Sequence, residues 1–264
     1  MRSFLVNPVK PKVQYSLEQA IALLRERCES HPIATVTVVV NLNLDTRIKG
    51  QKLKGVFDLP HGITGKGFRV AALTLDPDLA EAALSAGASY AGDIQKRILE
   101  NEIQWPRDFE RLIATKELEN VVVPKQSRLA RKLKRHKIVP CIEDKTLVEP
   151  EDLVTSVQKY VNGSCVPYVT SQHGAVTTRI GRVESESHVI TENFIQVLRT
   201  LFDTQVPVFG TGPRAKKRNI GKYILGIHLV AKNGALPLDL ELIDILAEKN
   251  QQDIPIKKNW RKRY

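Results

Sequence analysis

The sequence predicts a chain of mixed class, with a central α/β unit framed by an α+β unit to which both flanks contribute. Three observations carry this. Residues 35–44 alternate strictly, with Val36, Val38, Val40, Leu42 and Leu44 on one face and Thr35, Thr37, Val39, Asn41 and Asn43 on the other. That is the period of a half-buried strand. From residue 68 to about 149, short apolar strands alternate with helical segments, the order that parallel pairing requires. After Pro150 the order changes to helix, two strands, helix, strand.

The elements follow in turn. Residues 1–15 contain prolines and little periodicity, and read as an extended arm. Ser16 precedes Leu17, Ala20, Ile21 and Leu24, a helical stripe, and Gln19 stands where it closes a capping box. His31-Pro32 ends that helix, and beyond the alternating strand a polar, basic loop runs over residues 45–54. Val56-Phe57-Asp58-Leu59 then leads into Pro60-His61-Gly62. Residues 68–75 are almost continuously apolar, as in a strand covered on both faces. Asp76-Pro77 supplies a capping side chain and a proline at the first helical position, and Gly87 closes the helix. Strands are expected at 89–91, 111–114 and 138–142, and helices at 93–101 and 125–135. Beyond Pro150 the pattern predicts a helix over 151–161, two mutually paired strands at 166–170 and 175–180, a helix over 191–202 and a strand at 223–230. The last eleven residues are basic and read as extended.

Of the 264 residues, 42% are hydrophobic, so a real core is within reach and wholesale disorder is excluded. Lys and Arg outnumber Asp and Glu by 40 to 29, a formal charge of +11. This favours a polyanionic partner, because each phosphate contact releases counterions. A basic protein without such a partner is the plainer alternative. Cys28, Cys141 and Cys165 are far apart and form no CxxC pair, which suits a reducing compartment better than a disulfide framework. No run approaches the roughly 20 apolar residues that span a bilayer, so no membrane partner is expected. The first eight residues hold too short an apolar stretch for a secretory signal.

Catalytic patterns fail on detail. Gly62-Ile63-Thr64-Gly65-Lys66-Gly67 invites a phosphate-loop reading, but the motif needs glycine where Pro60 stands and Ser or Thr where Gly67 stands. None of the six histidines forms an i, i+4 pair with a third ligand, so no metal site is expected. Asp76 and Asp78 open a helix, where carboxylates favour the dipole. No nucleophile has a placed base. The chain therefore reads as no enzyme, without cofactor or small-molecule substrate. A metal-free RNA-processing or tRNA-modifying enzyme is the rival reading, since basic α/β chains do such work.

Five motifs in order carry a resemblance. They are Leu59-Pro60-His61-Gly62 with Lys66 and Arg69-Val70; Ala86-Gly87-Ala88-Ser89-Tyr90-Ala91-Gly92; Asp108-Phe109-Glu110 with Ala114-Thr115; Gly174-Ala175-Val176 with Ile180-Gly181-Arg182; and Glu192-Asn193-Phe194. Together, over residues 13–238, they resemble the ribosomal protein L1 family. The resemblance implies two domains, one inserted into the other. A discontinuous α+β RNA-binding domain would comprise residues 1–62 and 148–264, and a Rossmann-like three-layer α/β domain residues 63–147. It also implies binding to large-subunit rRNA, with other large-subunit components as neighbours. The family forms the mobile stalk near the tRNA exit site and assists release of deacylated tRNA.

On that resemblance the loop carrying Arg47, Lys49, Gln51, Lys52 and Lys54 joins two strands of the RNA-binding domain. Cations there suit phosphates, and Gln51 suits a base or a ribose hydroxyl. The alternative is a solvated basic turn. Gly174, Arg179, Gly181 and Arg182 belong to the return segment, where RNA contact and plain surface are both open. The family's diagnostic Thr-Met-Gly-Pro loop corresponds to Lys232, Asn233, Gly234 and Ala235, of which only the glycine is kept. The bacterial Gly-Pro-Arg-Gly-Leu-Met-Pro-Asn-Pro-Lys loop is replaced at residues 131–140 by a basic segment. From Lys125 to Lys137 there are seven basic residues, Lys125, Arg128, Arg131, Lys132, Lys134, Arg135 and Lys137, and no acidic one. That is a candidate secondary RNA or tRNA surface, or else a solvated helix face. Arg214-Ala215-Lys216-Lys217-Arg218 and the cluster Lys257-Lys258 with Arg261-Lys262-Arg263 are read as phosphate contacts or flexible tails. Eroded loops with added basic segments lead to the expectation of a mitochondrial ribosome, in the matrix, over a bacterial or cytoplasmic one.

Overall fold

A computed structural model describes residues 13–44, 51–63, 65, 67–124, 127–209, 216–219, 224–232 and 234–239, with backbone alone at 205–209 and 216–219. The elements are α1 (Leu17–Arg27), β1 (Thr35–Leu42), β2 (Lys54–Asp58), β3 (Val70–Leu73), α2 (Pro77–Ser85), β4 (Tyr90–Gly92), α3 (Gln95–Leu99), β5 (Arg111–Thr115), α4 (Glu119–Val122), α5 (Arg128–Arg135), β6 (Leu147–Val148), α6 (Leu153–Val161), β7 (Cys165–Val169), β8 (Ala175–Arg182), α7 (Ser187–Asp203), β9 (Gln205–Phe209), β10 (Lys216–Asn219), β11 (Ile224–Ala231) and β12 (Gly234–Leu238).

Both expected classes are present. Strands from the two flanks form an antiparallel sheet in the order β12-β11-β1-β8. Helix α1 starts as expected, with the Ser16 and Gln19 side chains closing a capping box. It and α7 cover one face of this sheet. Leu17, Ile21 and Leu24 of α1 and Ile190, Phe194, Val197 and Leu201 of α7 pack on Val36, Val38, Val40, Leu42, Ile227 and Leu229. The middle of the chain forms a parallel sheet in the order β4-β3-β5-β6. Strand β3 is buried along its whole length, and the sheet is sandwiched. Ala71, Leu73, Leu112 and Ala114 face α3, α4 and α5, while Val70, Ala72 and Ile113 face α2 and α6 through Ala83, Leu153, Val157 and Tyr160.

Three expectations are corrected. Residues 138–142 are not a strand; the ladder partner of β5 is Leu147–Val148. Pro140 has no N–H to give a ladder, and Ile142 is turned outward, 67% exposed. The segment is instead a turn closed by the Cys141 N–H donating to Thr146 Oγ1 at 3.0 Å. Strands β7 and β8 do not pair with each other: β7 pairs with β2, and β8 with β1. A sharp turn at Gly174 (φ +78°) carries the chain from the ribbon to the sheet, and a Cβ there would stand 2.6 Å from the Leu42 carbonyl oxygen. Finally, of the two readings of Lys216, Lys217 and Arg218 the flexible tail falls, because they lie in a strand paired with β9, and the phosphate-contact reading is untouched by this. Arg214 and the terminal basic cluster lie outside the described residues, as do residues 1–12.

The β2–β7 ribbon is held to the parallel unit by ion pairs. Asp58 meets Lys145 and Lys159, each at 2.9 Å, and Lys54 meets Asp144 at 2.5 Å. Partial burial pulls the Asp58 pKa up, but the hydrogen bonds and charges of the two lysines outweigh it and leave it below the ordinary carboxylate value. A depressed native pKa gives stability that is present above the unfolded value, about 3.9, and is lost as pH falls through the native one. Asp58→Asn is therefore expected to lower the melting temperature by about 2–4 °C at neutral pH. The difference from the parent should shrink as pH falls below about 3.9 and on through the lower native value; a difference that acid left unchanged would rule out the ion pairs as its cause.

Candidate nucleic-acid interface

Among the described residues the antiparallel sheet has helices on one face only. On the other, β1 presents Thr35, Thr37, Val39 and Asn41, all partly exposed, because its period-two pattern sends the valines inward. Register places neighbours beside them: Thr37 pairs with Arg179 and Val230, Val39 with Thr177 and His228, and Asn41 with Ala175 and Gly226. Asn41 Nδ2 and His228 Nδ1 are 3.4 Å apart. Burial holds the His228 pKa below its ordinary value, so at neutral pH the ring is an uncharged hydrogen-bonding group. The result is a shallow polar surface of hydroxyl, amide, imidazole and guanidinium groups.

At one end of this face is the β11–β12 turn. Lys232 is exposed, with Nζ 3.1 Å from His31 Nε2. Gly234 has φ +145°, and a Cβ there would lie 3.4 Å from Arg27 Nη1. That backbone conformation admits glycine freely and other residues only with strain, which accounts for the retained glycine. Asn233 lies outside the described residues, as do Arg47 and Lys49.

The other expected residues divide. Arg179 is on the open face and partly exposed, whereas Gly181 is buried with its Cα beneath Ile190 of α7. Arg182 pairs with Glu184 at 3.0 Å, is 17% exposed and lies against the backbone of Gly65. Gly174 serves the turn described above. Gln51 is 8% exposed, Lys52 is exposed, and Lys54 is engaged by Asp144. The fold thus brings Arg179 and the Lys232–Gly234 turn to one sheet, while the rest of the 45–54 loop is represented only by its last residues. Sequence reasoning did not select Thr35, Thr37, Asn41, Thr177 and His228. The alternation of β1 was the available signal, since a strand buried on one side must leave the other side open.

Helix α5 presents a second basic surface. Ser127 Oγ caps it by accepting from the Ala130 N–H, and Leu129, Ala130 and Leu133 face the core. Arg128, Arg131, Lys134, Arg135 and Lys137 are exposed. Lys132 is diverted to the end of α3, where it donates to the Ile98 carbonyl and to Asn101 Oδ1. Lys125 lies outside the described residues.

Burial pushes the Cys165 thiol up to about 11 and raises that of Cys141, so neither is ionised at neutral pH. Among the described residues no group of three or more His, Cys, Asp or Glu is placed to hold a metal ion, and no helix is long and apolar enough to cross a membrane.

Comparison with known proteins agrees with this architecture. The model of the family described as "Ribosomal protein L1p/L10e family" matches residues 24–235. The chain is 31% identical over 235 residues to the large ribosomal subunit protein uL1 of Chloroflexus aggregans, covering 88% of this chain and 91% of that one. It is 32% identical over 224 residues to that of Proteus vulgaris, covering 84% and 86%. With that of Coxiella burnetii it shares 30% over 202 residues, covering 76% and 82%.

Proposed function

Because the chain belongs to the L1p/L10e family of ribosomal proteins, we propose that it is a structural constituent of the large ribosomal subunit that binds large-subunit rRNA through the helix-free face of its antiparallel sheet. The observation that carries this is the open face itself. It is polar, it is built from both flanks of the chain, and it ends at the Lys232–Gly234 turn. Its hydroxyl and amide groups suit bases and ribose hydroxyls, while Arg179 and Lys232 suit phosphates. The family is one of ribosomal proteins rather than enzymes, which sets aside the RNA-processing alternative.

Finer parts of the reading belong to the same proposal. The protein forms the mobile stalk beside the tRNA exit site and assists the departure of deacylated tRNA, with the exposed cations of α5 as a secondary RNA surface. Its division into two domains is drawn near residue 62. The return is drawn between residue 148 and Gly163, and the packing of Leu153, Val157 and Tyr160 of α6 on the parallel sheet supports the later bound. A mitochondrial ribosome is favoured by the replaced loops at 131–140 and 232–235, and co-sedimentation with mitochondrial or bacterial large subunits distinguishes the two.

The primary test is binding to a stalk-region rRNA hairpin and to a scrambled hairpin across a salt series. Lys232→Ala is expected to weaken binding and reduce the salt slope by about 1. Gly234→Val is expected to weaken the specific hairpin about tenfold or more while leaving the scrambled one unchanged. Equal affinity for both RNAs, with neither variant altering it, leaves only a generic polyanion binder.

A further inference from the structure

Where the open sheet meets the parallel unit there is a cleft of about 380 Å³ lined by residues of both. Thr35, Thr37, Thr177 and Arg179 come from the sheet, and Phe68 and Arg111 from the parallel unit; among the described residues no carboxylate lines it. The two guanidinium carbons lie 5.0 Å (Arg179) and 5.1 Å (Arg111) from the Phe68 ring centroid, so one aromatic ring holds both cations. Among the described residues neither guanidinium has an ion pair or a hydrogen bond. The nearest acid that acts on Arg179, Glu110, is engaged by Arg69 at 3.5 Å. Burial lowers the Arg179 pKa, with Glu110 opposing and Arg111 adding to the effect, yet a guanidinium stays charged throughout the working range.

Two like charges gathered in a partly desolvated cleft oppose each other unless an anion lies between them. Ten hydrogen-bond donors on two planar forks, beside three threonine hydroxyls, match the oxygens of a phosphate. The volume admits one nucleotide's backbone and excludes a duplex.

We propose that this cleft takes a single phosphodiester of the bound RNA, with Arg111 and Arg179 sharing its oxygens, so that the RNA contact extends from the sheet onto the parallel unit. This rests on the rRNA-binding reading above and adds to it a site built by two units. Arg111 becomes an RNA-binding residue although it lies outside the sheet, and Phe68 a positioning residue that aims both guanidiniums. A bound phosphodiester would also fix the two units relative to one another.

The test uses the full chain and the stalk-region hairpin, with Arg111→Gln, Arg179→Gln, the double variant and Arg111→Lys, each first shown to melt like the parent. Each Gln variant is expected to weaken hairpin binding about tenfold and to reduce the salt slope by about 1. Because the two share one phosphate, the double variant should lose less than the product of the single losses. Arg111→Lys should recover the salt slope but only part of the affinity, since an ammonium cannot make the forked contact. Titration with inorganic phosphate and with a mononucleotide separates the sources of that chemistry. Millimolar or weaker binding of both supports the RNA backbone. Micromolar binding of either small anion, with hairpin affinity untouched by the variants, overturns the proposal, and so do hairpin affinities equal to the parent in both Gln variants. If Lys232→Ala and Gly234→Val weaken the hairpin while the cleft variants do not, only the cleft proposal falls. If none of the four has an effect, the rRNA reading falls with it.

Discussion

Gly67→Ala is expected to destabilise the protein by about 3 kcal/mol, or roughly 6–12 °C in melting temperature for a chain of this size. The added methyl would stand inside the van der Waals envelope of the Val161 carbonyl oxygen, at the C-terminus of α6. Nothing there is a flexible side chain that can swing aside. The neighbouring backbone is fixed by the Phe68 N–H donating to the Tyr160 carbonyl at 3.0 Å, and Tyr160 is fully buried. Relief therefore requires the segment from β2 to β3 to move away from α6, opening the packed face of the parallel sheet. Gly62 has the same relation to the Asn162 carbonyl, and a Cβ at Gly163 would lie 3.0 Å from that of Ile63. Because these positions share neighbours, a Gly62→Ala, Gly67→Ala pair should lose less than the sum of its parts. Thermal and urea denaturation measure both. A melting temperature unchanged by Gly67→Ala would mean that the segment does not run against α6.

Asn193→Leu should cost a similar amount, about 3 kcal/mol. Asn193 is fully buried in α7. It accepts from the His61 N–H at 3.0 Å, and its amide donates to the His61 carbonyl at 3.1 Å and to the Ile180 carbonyl at 2.8 Å. Leucine fills the volume and leaves all three backbone groups without partners, the costly kind of loss. His61→Ala provides the contrast. It keeps the backbone bonds and removes the exposed contact of Nε2 with Glu192, 2.6 Å long, and the edge contact with the His188 ring, so a change within about 1 kcal/mol is expected. Equal melting temperatures for Asn193→Leu and the parent would sink the idea that this asparagine pins the Pro60-His61-Gly62 bend.

These two cases show how the motifs were legible while their reasons were not. Leu59-Pro60-His61-Gly62 and Glu192-Asn193-Phe194 stand 130 residues apart as separate signatures, and nothing in their spacing says that one side chain bonds the backbone of the other. The glycines from 62 to 67 looked like a failed phosphate loop. For Gly62 and Gly67 the meaning is close approach between two backbones, and it depends on a helix ninety residues further on, whereas Gly65 turns the chain at φ +66° against Arg182. The proline at 140 argued against a strand over 138–142, but an apolar run alone does not say which backbone will find a ladder. The β9–β10 hairpin was missed because its second strand, Lys216–Asn219, is basic and lacks apolar alternation. The candidate site was legible to the same uneven degree. Arg179 and the Lys232–Gly234 turn were singled out, while Arg111 and Phe68 were read only as parts of strands.

What the sequence determined by itself is whatever repeats at short range. It set the alternation of β1, the capping box at Ser16, the Asp76-Pro77 helix start, the doubly buried β3 and the excess of positive charge. Local sterics, hydrogen bonding and burial settle such features within one element, so the residues of that element suffice. The tertiary structure alone decided that β8 lies beside β1 and β7 beside β2, that α6 covers the parallel sheet, and that Arg111 and Arg179 meet over Phe68. Those are choices of partner between segments tens to more than a hundred residues apart. They depend on which surfaces remain to be buried once every element has formed.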